Sequence, residues 1–163
     1  MKTMVTCVFP GSFDPVTKGH LDLIERAAAI FDHVTVTLMV NIHKAGSIPA
    51  DKRIELLQKA CRRFRNVSVD RWDGLLADYM REKQEYIIVR GLRDLTEMEH
   101  ELHSSAANRM LNSCTETVFI PSDPVLSGVS SSAVREIASF GGDISAFVPE
   151  ELTEEITRLL SKK

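Results

Sequence analysis

Strand-like and helix-like patterns alternate along the whole chain, and this alternation limits the fold more than any other feature of the sequence. Five short runs rich in β-branched residues are separated by stretches in which apolar residues recur at helical spacing. The predicted strands cover residues 4–9, 34–40, 67–69, 86–89 and 117–120. Such alternation builds βαβ units, so the sequence predicts an α/β fold of the Rossmann-like type: a doubly wound, five-stranded parallel sheet with helices on both faces.

The fourth predicted helix is a long one with two distinct faces. Its apolar positions are Leu95, Met98, Leu102 and Ala106. Glu97, Glu101 and Asn108 fall on its other faces. An apolar helix face belongs either to the core or to an interface with another subunit, and the sequence alone leaves both open. No repeat, low-complexity tract or long linker interrupts the pattern, so residues 1–163 are predicted to form a single domain.

Bulk composition narrows the class of protein. The 163 residues carry a net charge of −3, which argues against a broad nucleic-acid-binding surface. No apolar run approaches the roughly 20 residues that a membrane span requires, and the apolar start of the chain is typical of a first strand rather than of a cleaved leader. The three cysteines are far apart and lack zinc-ligand spacing. These features predict a reduced, cytoplasmic protein that binds neither nucleic acid nor membrane.

Most of the chemically unusual residues follow the predicted strands. His20 ends the loop after the first strand, whose sequence is PGSFDPVTKGH. Lys44 follows the second strand, Arg90 and Arg93 follow the fourth, and Ser130–Ser132 lie in the segment after the fifth. In a sheet of this type, ligands bind beyond the carboxyl ends of the strands. These cations and hydroxyls are therefore expected at one edge of the sheet, where they would suit a polyanionic ligand.

Two of these segments are also predicted to begin helices, where unpaired N–H groups attract anions. Thr17 is a candidate cap, and His20 in the first turn could donate a hydrogen bond to a phosphate oxygen. One cap requires a single serine, so Ser130–Ser132 is interpreted as a nest of hydroxyl and N–H donors for pyrophosphate oxygens. Each feature alone has a plainer explanation: a surface histidine, a solvated lysine, arginines paired with Asp94 and Glu97, or an ordinary serine cap.

Several familiar catalytic patterns are missing from the sequence. Neither GxxxxGK[ST] nor GxGxxG occurs, which argues against a P-loop kinase and a dinucleotide-binding dehydrogenase. HExxH and GxSxG are also absent. The other four histidines are interpreted as structural or solvated; they are His33, His43, His100 and His103.

Together, these segments resemble bacterial phosphopantetheine adenylyltransferases, within the nucleotidyltransferase superfamily marked by (H/T)xGH. The resemblance rests on PGSFDPVTKGH, Lys44, RGLRD and VSSS, and it covers nearly the whole chain. It implies transfer of the adenylyl group of ATP to 4′-phosphopantetheine, which forms dephospho-coenzyme A and pyrophosphate in coenzyme A biosynthesis. It also implies dependence on Mg²⁺, whose protein ligands the sequence does not identify, a homohexamer, and feedback by coenzyme A.

The resemblance also implies roles for individual residues, carried over by position. The implied catalytic residues are His20, Lys44 and Arg90. The implied ATP-binding residues are Ser12, Phe13, His20, Gly91, Leu92, Arg93, Glu101, Leu126, Ser127, Gly128, Val129, Ser130, Ser131 and Ser132. The implied residues for the second substrate are Ser12, Lys44, Leu76 and Arg90. The chain departs from the family pattern at three positions, namely His100, Leu126 and Gly128.

The expected mechanism is direct in-line attack, because a phosphate oxygen is already a nucleophile at neutral pH and needs no strong general base. Catalysis would then rest on positioning and on charge stabilisation. Three alternatives stay open at this point: a sister enzyme such as a nicotinamide mononucleotide adenylyltransferase or a cytidylyltransferase, a non-catalytic nucleotide-binding module of the same fold, and a purely structural α/β domain.

Overall fold

A single sheet of five parallel strands organises the protein. The computed structural model describes residues 4–161, and its strand order is β3-β2-β1-β4-β5. The strands are β1 (Thr6–Gly11), β2 (His33–Met39), β3 (Val67–Trp72), β4 (Ile87–Leu92) and β5 (Glu116–Pro121). The helices are α1 (Lys18–Ile30), α2 (Ala50–Cys61), α3 (Leu76–Lys83), α4 (Leu95–Leu111), α5 (Ser131–Ser139) and α6 (Thr153–Leu160). Two short 3₁₀ helices cover Pro124–Leu126 and Glu150–Leu152.

The central strands are buried on both faces, which is why they read as continuous apolar runs in the sequence. Along β1, Cys7, Val8 and Phe9 are all buried, and successive side chains point to opposite faces of the sheet. Cys7 and Phe9 join the larger core, which α1, α2, α5 and α6 cover. Val8 joins a smaller core on the other face, with Tyr79 and Met80 of α3.

This architecture confirms the predicted doubly wound α/β fold with helices on both faces. The first predicted strand is shifted, because β1 begins at Thr6 and runs to Gly11 instead of spanning 4–9. The part of the N-terminal prediction that concerns residues 1–3 lies outside the described residues. Within residues 4–161, no helix is both long enough and apolar enough to cross a membrane.

The sheet reverses its strand order at β1, which lies between β2 and β4. Strands β1 and β4 pair at Val8 and Ile88. Nearer their carboxyl ends, the Arg90 side chain links them by donating a hydrogen bond to the carbonyl of Pro10 at 2.7 Å. Such a reversal point is where ligands bind in open α/β sheets.

Candidate active site

A cleft of about 300 Å³ opens at the carboxyl ends of β1 and β4. Its walls come from the loop after β1, the start of α1, the end of β4 and the segment that leads into α5. Ten of the predicted site residues line it: Ser12, His20, Arg90, Gly91, Arg93, Leu126, Val129, Ser130, Ser131 and Ser132. The structure therefore brings together side chains from loops that are far apart in the sequence, as a common polyanion pocket requires.

His20 is held by a reciprocal pair of bonds with Thr17 at the start of α1. The Thr17 hydroxyl accepts from the backbone N–H of His20 at 3.3 Å, and the Thr17 backbone N–H donates to His20 Nδ1 at 3.0 Å. This is a capping box in which histidine takes the place of the usual Glu or Gln. Because Nδ1 accepts a hydrogen bond from a backbone N–H, a neutral His20 ring carries its proton on Nε2.

The surroundings of His20 keep its imidazole neutral. Burial lowers its pKa to about 4, and the positive charges of Arg90 and Arg93 act in the same direction, against an opposing contribution from Glu97. A neutral ring whose Nδ1 is already occupied offers one group to a ligand, the Nε2–H donor. His20 is thus suited to donate a hydrogen bond to an anionic oxygen and unsuited to act as a general base.

Phe13 supports the His20 ring from inside the protein. Its ring meets the imidazole edge-on, with a centroid separation of 4.9 Å, and the side chain is buried. The backbone of Phe13 has φ 43°, in the left-handed region. A Cβ at Gly11 would lie 3.0 Å from the Phe13 ring, so glycine leaves room for it there. Phe13, predicted to bind ATP, therefore lies behind His20 and does not line the cleft.

Arg90 joins the main cleft to a second one, and all three of its guanidinium nitrogens are engaged. Nε and one terminal nitrogen donate to the Glu101 carboxylate at 2.8 and 2.6 Å, and the other donates to Pro10. Such a bidentate pair fixes the plane of the guanidinium. Glu101, predicted to line the ATP site, contacts Arg90 and lines the second cleft.

The second cleft has a volume of about 270 Å³ and shares four residues with the main cleft: Pro10, Gly11, Ser12 and Arg90. Its wall includes the apolar side chains of Met39, Leu76 and Ile88. Leu76, predicted to bind the second substrate, therefore lies in this cleft. The two clefts together form a path with a cationic junction at Arg90 and an apolar arm beyond it.

The three serines at the start of α5 have three different partners. Ser130 is the N-cap and accepts from the Ala133 N–H at 3.1 Å, Ser131 donates its hydroxyl to Pro15 O at 2.7 Å, and Ser132 accepts from Arg135 at 3.1 Å. Of the predicted nest of hydroxyl and N–H donors, the Ser131 hydroxyl proton is already used in a bond within the protein. The Ser130 and Ser132 hydroxyls act here as acceptors, so their protons remain for an anion. The helix start adds first-turn backbone N–H groups, of which that of Ala133 is already bonded to Ser130.

Besides Phe13, four predicted site residues lie outside both clefts, namely Lys44, Leu92, Ser127 and Gly128. Lys44 is exposed in the loop between β2 and α2. The end of this loop is tied to Asp14, whose carboxylate accepts from the N–H groups of Ser47 and Ile48, both at 2.8 Å. Arg53, which is buried, donates to Ile48 O at 2.9 Å and to Ser12 O at 2.7 Å.

Sequence reasoning missed two kinds of functional contact. Arg135 lines the main cleft and received no role from the sequence; its signal was its position three residues after Ser132, which places both on one helix face. Gly91 was predicted from its loop position, but its packing against Leu23 of α1, with which a side chain at position 91 would collide, was not.

Among residues 4–161, no group of three or more His, Cys, Asp or Glu side chains could hold a metal ion.

The comparisons with known proteins agree with this geometry. Residues 8–137 match the sequence model of the cytidylyltransferase-like family. Two solved structures share the fold. One is a putative nicotinate-nucleotide adenylyltransferase from Vibrio parahaemolyticus, with TM-score 0.69 and 17% identity, and the match covers 99% of this chain and 98% of that one. The other is a nicotinic acid mononucleotide adenylyltransferase from Plasmodium falciparum, with TM-score 0.71 and 12% identity, and the match covers 96% of each chain. Fold and site thus define a protein of the cytidylyltransferase-like class.

Relatives with higher sequence identity show which family within this class the chain belongs to. A phosphopantetheine adenylyltransferase from Clostridium perfringens is 45% identical over 154 residues, which is 94% of each chain. Another from Finegoldia magna is 42% identical over 156 residues, 96% of each chain. The chain belongs to the phosphopantetheine adenylyltransferase family.

Proposed function

We propose that this protein transfers the adenylyl group of ATP to 4′-phosphopantetheine, forming dephospho-coenzyme A and pyrophosphate in coenzyme A biosynthesis, with residues 1–163 acting as one nucleotidyltransferase domain. The observation that carries the proposal is the pair of joined clefts. The main cleft, with His20 and the start of α5, suits a nucleotide triphosphate. The second cleft, with its apolar wall, suits a pantetheine arm whose phosphate would reach Arg90.

The proposed chemistry is a single in-line displacement at the α-phosphorus of ATP. A phosphate oxygen of 4′-phosphopantetheine forms the new P–O bond while the bond to the bridging oxygen of pyrophosphate breaks. The electron pair of that bond leaves with pyrophosphate, so negative charge grows on the departing group. Positioning and charge stabilisation supply the catalysis, which fits a site whose histidine is a hydrogen-bond donor.

Three residues are proposed as the catalytic set. His20 would donate from Nε2 to an oxygen of the α-phosphate as the transition state forms. Arg90, held by Glu101 at the junction of the clefts, would bind the attacking phosphate. Lys44 lines neither cleft in this structure. It would reach the attacking phosphate beside Arg90 only after its loop moves toward the junction of the clefts.

Mg²⁺ is proposed as a partner of the nucleotide. The donor set among residues 4–161 contains no protein cage for a metal. Mg²⁺ typically keeps several waters and takes substrate phosphates as ligands, so the ion would be held mainly by ATP phosphate oxygens.

Regulation and location are proposed on narrower grounds. Coenzyme A has the same pantetheine arm as the substrate, so it would compete for the second cleft and produce feedback. A cytoplasmic location is supported by the free thiols of Cys7, Cys61 and Cys114, which are typical of a reducing compartment.

A homohexamer is proposed for the assembled protein. None of the described side chains of α4 is buried, although the helix carries a stripe of apolar residues. Exposed apolar side chains that line up on one helix face are typical of a subunit interface.

The decisive assay measures pyrophosphate release from ATP with 4′-phosphopantetheine as acceptor. Nicotinate mononucleotide as acceptor, and CTP as donor, serve as alternatives in parallel. We expect turnover with ATP and 4′-phosphopantetheine alone. Nucleotide binding without turnover would instead identify a non-catalytic module, and turnover with another acceptor would identify a sister enzyme.

Substitution of His20 tests the catalytic set. His20→Ala is expected to lower kcat by roughly 10²–10³, the typical loss for one well-placed transition-state donor, with little change in KM. His33→Ala is a matched control, because His33 hydrogen-bonds Ser68 between β2 and β3, away from both clefts. Near-normal turnover of the His20 variant would remove His20 from the set.

A further inference from the structure

Arg53 occupies a core position of α2. The buried residues of this helix recur at the spacing of one helix face, and they are Arg53, Leu56, Leu57, Ala60 and Cys61. A charged side chain therefore stands where this pattern predicts an apolar one, and it is only 5% exposed. Arginine is almost never buried to this degree unless it is paired, so the groups around its guanidinium have to account for its burial.

The partners of the Arg53 guanidinium are two backbone carbonyls. Its Nε donates to Ile48 O at 2.9 Å, and one terminal nitrogen donates to Ser12 O at 2.7 Å. Both partners are neutral, and within residues 4–161 no carboxylate forms a salt bridge with this arginine. Arg53 itself lines neither cleft. It can therefore act on a ligand only through the segments that it holds and through its charge.

The two carbonyls belong to segments that carry predicted residues for the same ligand, the second substrate. Ser12 lines both clefts, and Ile48 ends the loop that carries Lys44. Asp14 strengthens the same connection, since its buried carboxylate accepts from the backbone N–H of Ile48 at 2.8 Å. Arg53 thus joins the turn after β1 to the fixed end of the Lys44 loop.

Gly46 shows how closely this loop approaches the guanidinium. A Cβ at position 46 would lie 3.0 Å from the other terminal nitrogen of Arg53 and 3.1 Å from Ile48 O. Both distances are shorter than an ordinary van der Waals contact, and the guanidinium cannot withdraw without lengthening its bonds to the two carbonyls. The path of the loop at this point is therefore fitted to the arginine.

We propose that Arg53 is a positioning residue for the attacking phosphate, because it fixes the Ser12 turn and one end of the Lys44 loop relative to each other. This inference rests on the proposed function. A guanidinium is always charged, so Arg53 also places a positive charge behind Ser12, at the junction where the phosphate would bind. Its loss should weaken binding of the phosphate and leave binding of the apolar arm in the second cleft unchanged.

The test compares two ligands of the second cleft that differ only in the phosphate. 4′-Phosphopantetheine and pantetheine are titrated into the full-length wild type and into Arg53→Gln, with the fluorescence of Trp72 as the signal. Trp72 is the only tryptophan of the chain, and it packs against the smaller core, as does Leu76 of the second cleft. We expect the Kd for 4′-phosphopantetheine to rise at least about 10-fold, as for the loss of one hydrogen bond to a charged group. The Kd for pantetheine is expected to change less than about twofold, since no phosphate is involved.

Two further variants separate the role of Arg53 from a general effect on folding. Arg53→Lys keeps the charge but lacks the fork that spans both carbonyls, so it should give an intermediate Kd for 4′-phosphopantetheine. Gly46→Ala leaves the arginine in place and crowds it from an exposed position of the loop. It should raise the same Kd by a smaller factor, and it keeps the proposal testable if Arg53→Gln does not fold.

Asn66→Ala is the matched control. The Asn66 side chain also donates to backbone carbonyls, including those of Ala28 and Phe31 at 2.9 and 3.1 Å, but it lines neither cleft. Its substitution should lower stability and leave both Kd values unchanged.

Equal weakening of 4′-phosphopantetheine and pantetheine would show that Arg53 supports only the fold, and would overturn the proposal. An unchanged Kd for 4′-phosphopantetheine in Arg53→Gln would overturn it as well. The titration requires no turnover, so its result is separate from that of the proposed function. A wild type that binds 4′-phosphopantetheine but forms no dephospho-coenzyme A would overturn the function. An active wild type whose Arg53 variants keep the full preference for the phosphorylated ligand would overturn the role of Arg53 alone.

Discussion

Thr17 and His20 show how a short sequence pattern determines which ring nitrogen of a neutral histidine carries the proton. The spacing of three residues places the His20 ring over the start of its own helix, where Nδ1 accepts the Thr17 N–H at 3.0 Å. The helix start also lies close to the segment before α5: a Cβ at position 19 would meet the Val129 carbonyl at 3.6 Å, an ordinary van der Waals contact. The proton of the neutral ring is consequently on the nitrogen that remains free for a ligand.

This arrangement predicts an unusual titration of His20. The pKa of about 4 lies below the ordinary value of 6.5, so the ring should keep the neutral, Nε2-protonated form down to about pH 5. ¹⁵N-correlated NMR of the imidazole, with His20→Gln to assign the signal, measures both tautomer and midpoint. A midpoint near 6.5, or a proton on Nδ1, would contradict the capping-box account.

The same shift has a consequence for stability. Between pH 6.5 and about 4, the unfolded chain binds a proton at His20 that the folded protein does not. Stability from this residue is therefore fully present above pH 6.5 and declines as the pH falls toward 4. His20→Gln should accordingly lose less Tm than the wild type between pH 7 and 5, as differential scanning calorimetry would measure.

At the scale of elements, α4 shows which features of a helix a sequence pattern can predict and which it cannot. Its periodicity predicted a helix with apolar and polar faces, and the helix Leu95–Leu111 confirms this. The pattern could not say which face turns inward. In the structure Glu97 and Glu101 point to the clefts and pair with arginines, while Leu95 and Leu102 are exposed. Periodicity reports amphipathicity, and only the tertiary structure shows what each face meets.

The loops show a second limit of prediction from the sequence. Parallel-sheet topology placed His20, Arg90 and Ser130–Ser132 at one edge correctly, because the carboxyl ends of the strands coincide there. It could not give their hydrogen-bond partners, since these come from residues distant in sequence. The Ser131 hydroxyl bonds Pro15, 116 positions away, and Arg135 bonds Asp14, 121 positions away. Loop position is predictable from alternation, whereas loop conformation depends on such contacts.

The loop before α2 yields a prediction about Asp14. Its buried carboxylate accepts two backbone N–H groups, from Ser47 and Ile48, so Asp14→Asn would leave one of them poorly satisfied. We expect a loss of about 1–3 kcal/mol in the free energy of unfolding and faster tryptic cleavage after Lys44, because the loop is released at its far end. Chemical denaturation and timed proteolysis with mass spectrometry measure the two effects.

Asp143→Asn is the matched control for that loop. Asp143 accepts from the backbone N–H and the hydroxyl of Ser145 in an exposed turn, at 2.9 Å in both cases, so it should have little effect on either measurement. If Asp14→Asn lowers stability but leaves the cleavage rate at Lys44 unchanged, the carboxylate does not anchor this loop.

At the scale of the whole molecule, the exposed apolar stripe on α4 is the candidate subunit interface of the proposed homohexamer. Leu95, Met98 and Leu102 recur at i, i+3 and i+7 and are all exposed, with Leu95 84% accessible. Burying a large aliphatic side chain contributes about 1.5–3 kcal/mol, so three per subunit, repeated around a ring, would give a substantial association energy. The Glu97 and Glu101 side chains turn to the clefts from the same helix, so association through α4 would also hold the arginine partners in place.

We therefore predict that Met98→Glu combined with Leu102→Glu reduces the assembly to smaller species, as charges placed in an apolar interface are desolvated without partners. Sedimentation velocity at micromolar concentration measures the mass of wild type and variant. Phe140→Glu is the control: this side chain is 86% exposed but belongs to the end of α5 and not to α4, so its loss should leave the mass unchanged. A monomeric wild type, or equal dissociation by the Phe140 variant, would show that α4 is not the interface.

Because Glu97 and Glu101 share this helix, the double variant should also raise the KM for ATP even where its circular dichroism spectrum matches that of the wild type.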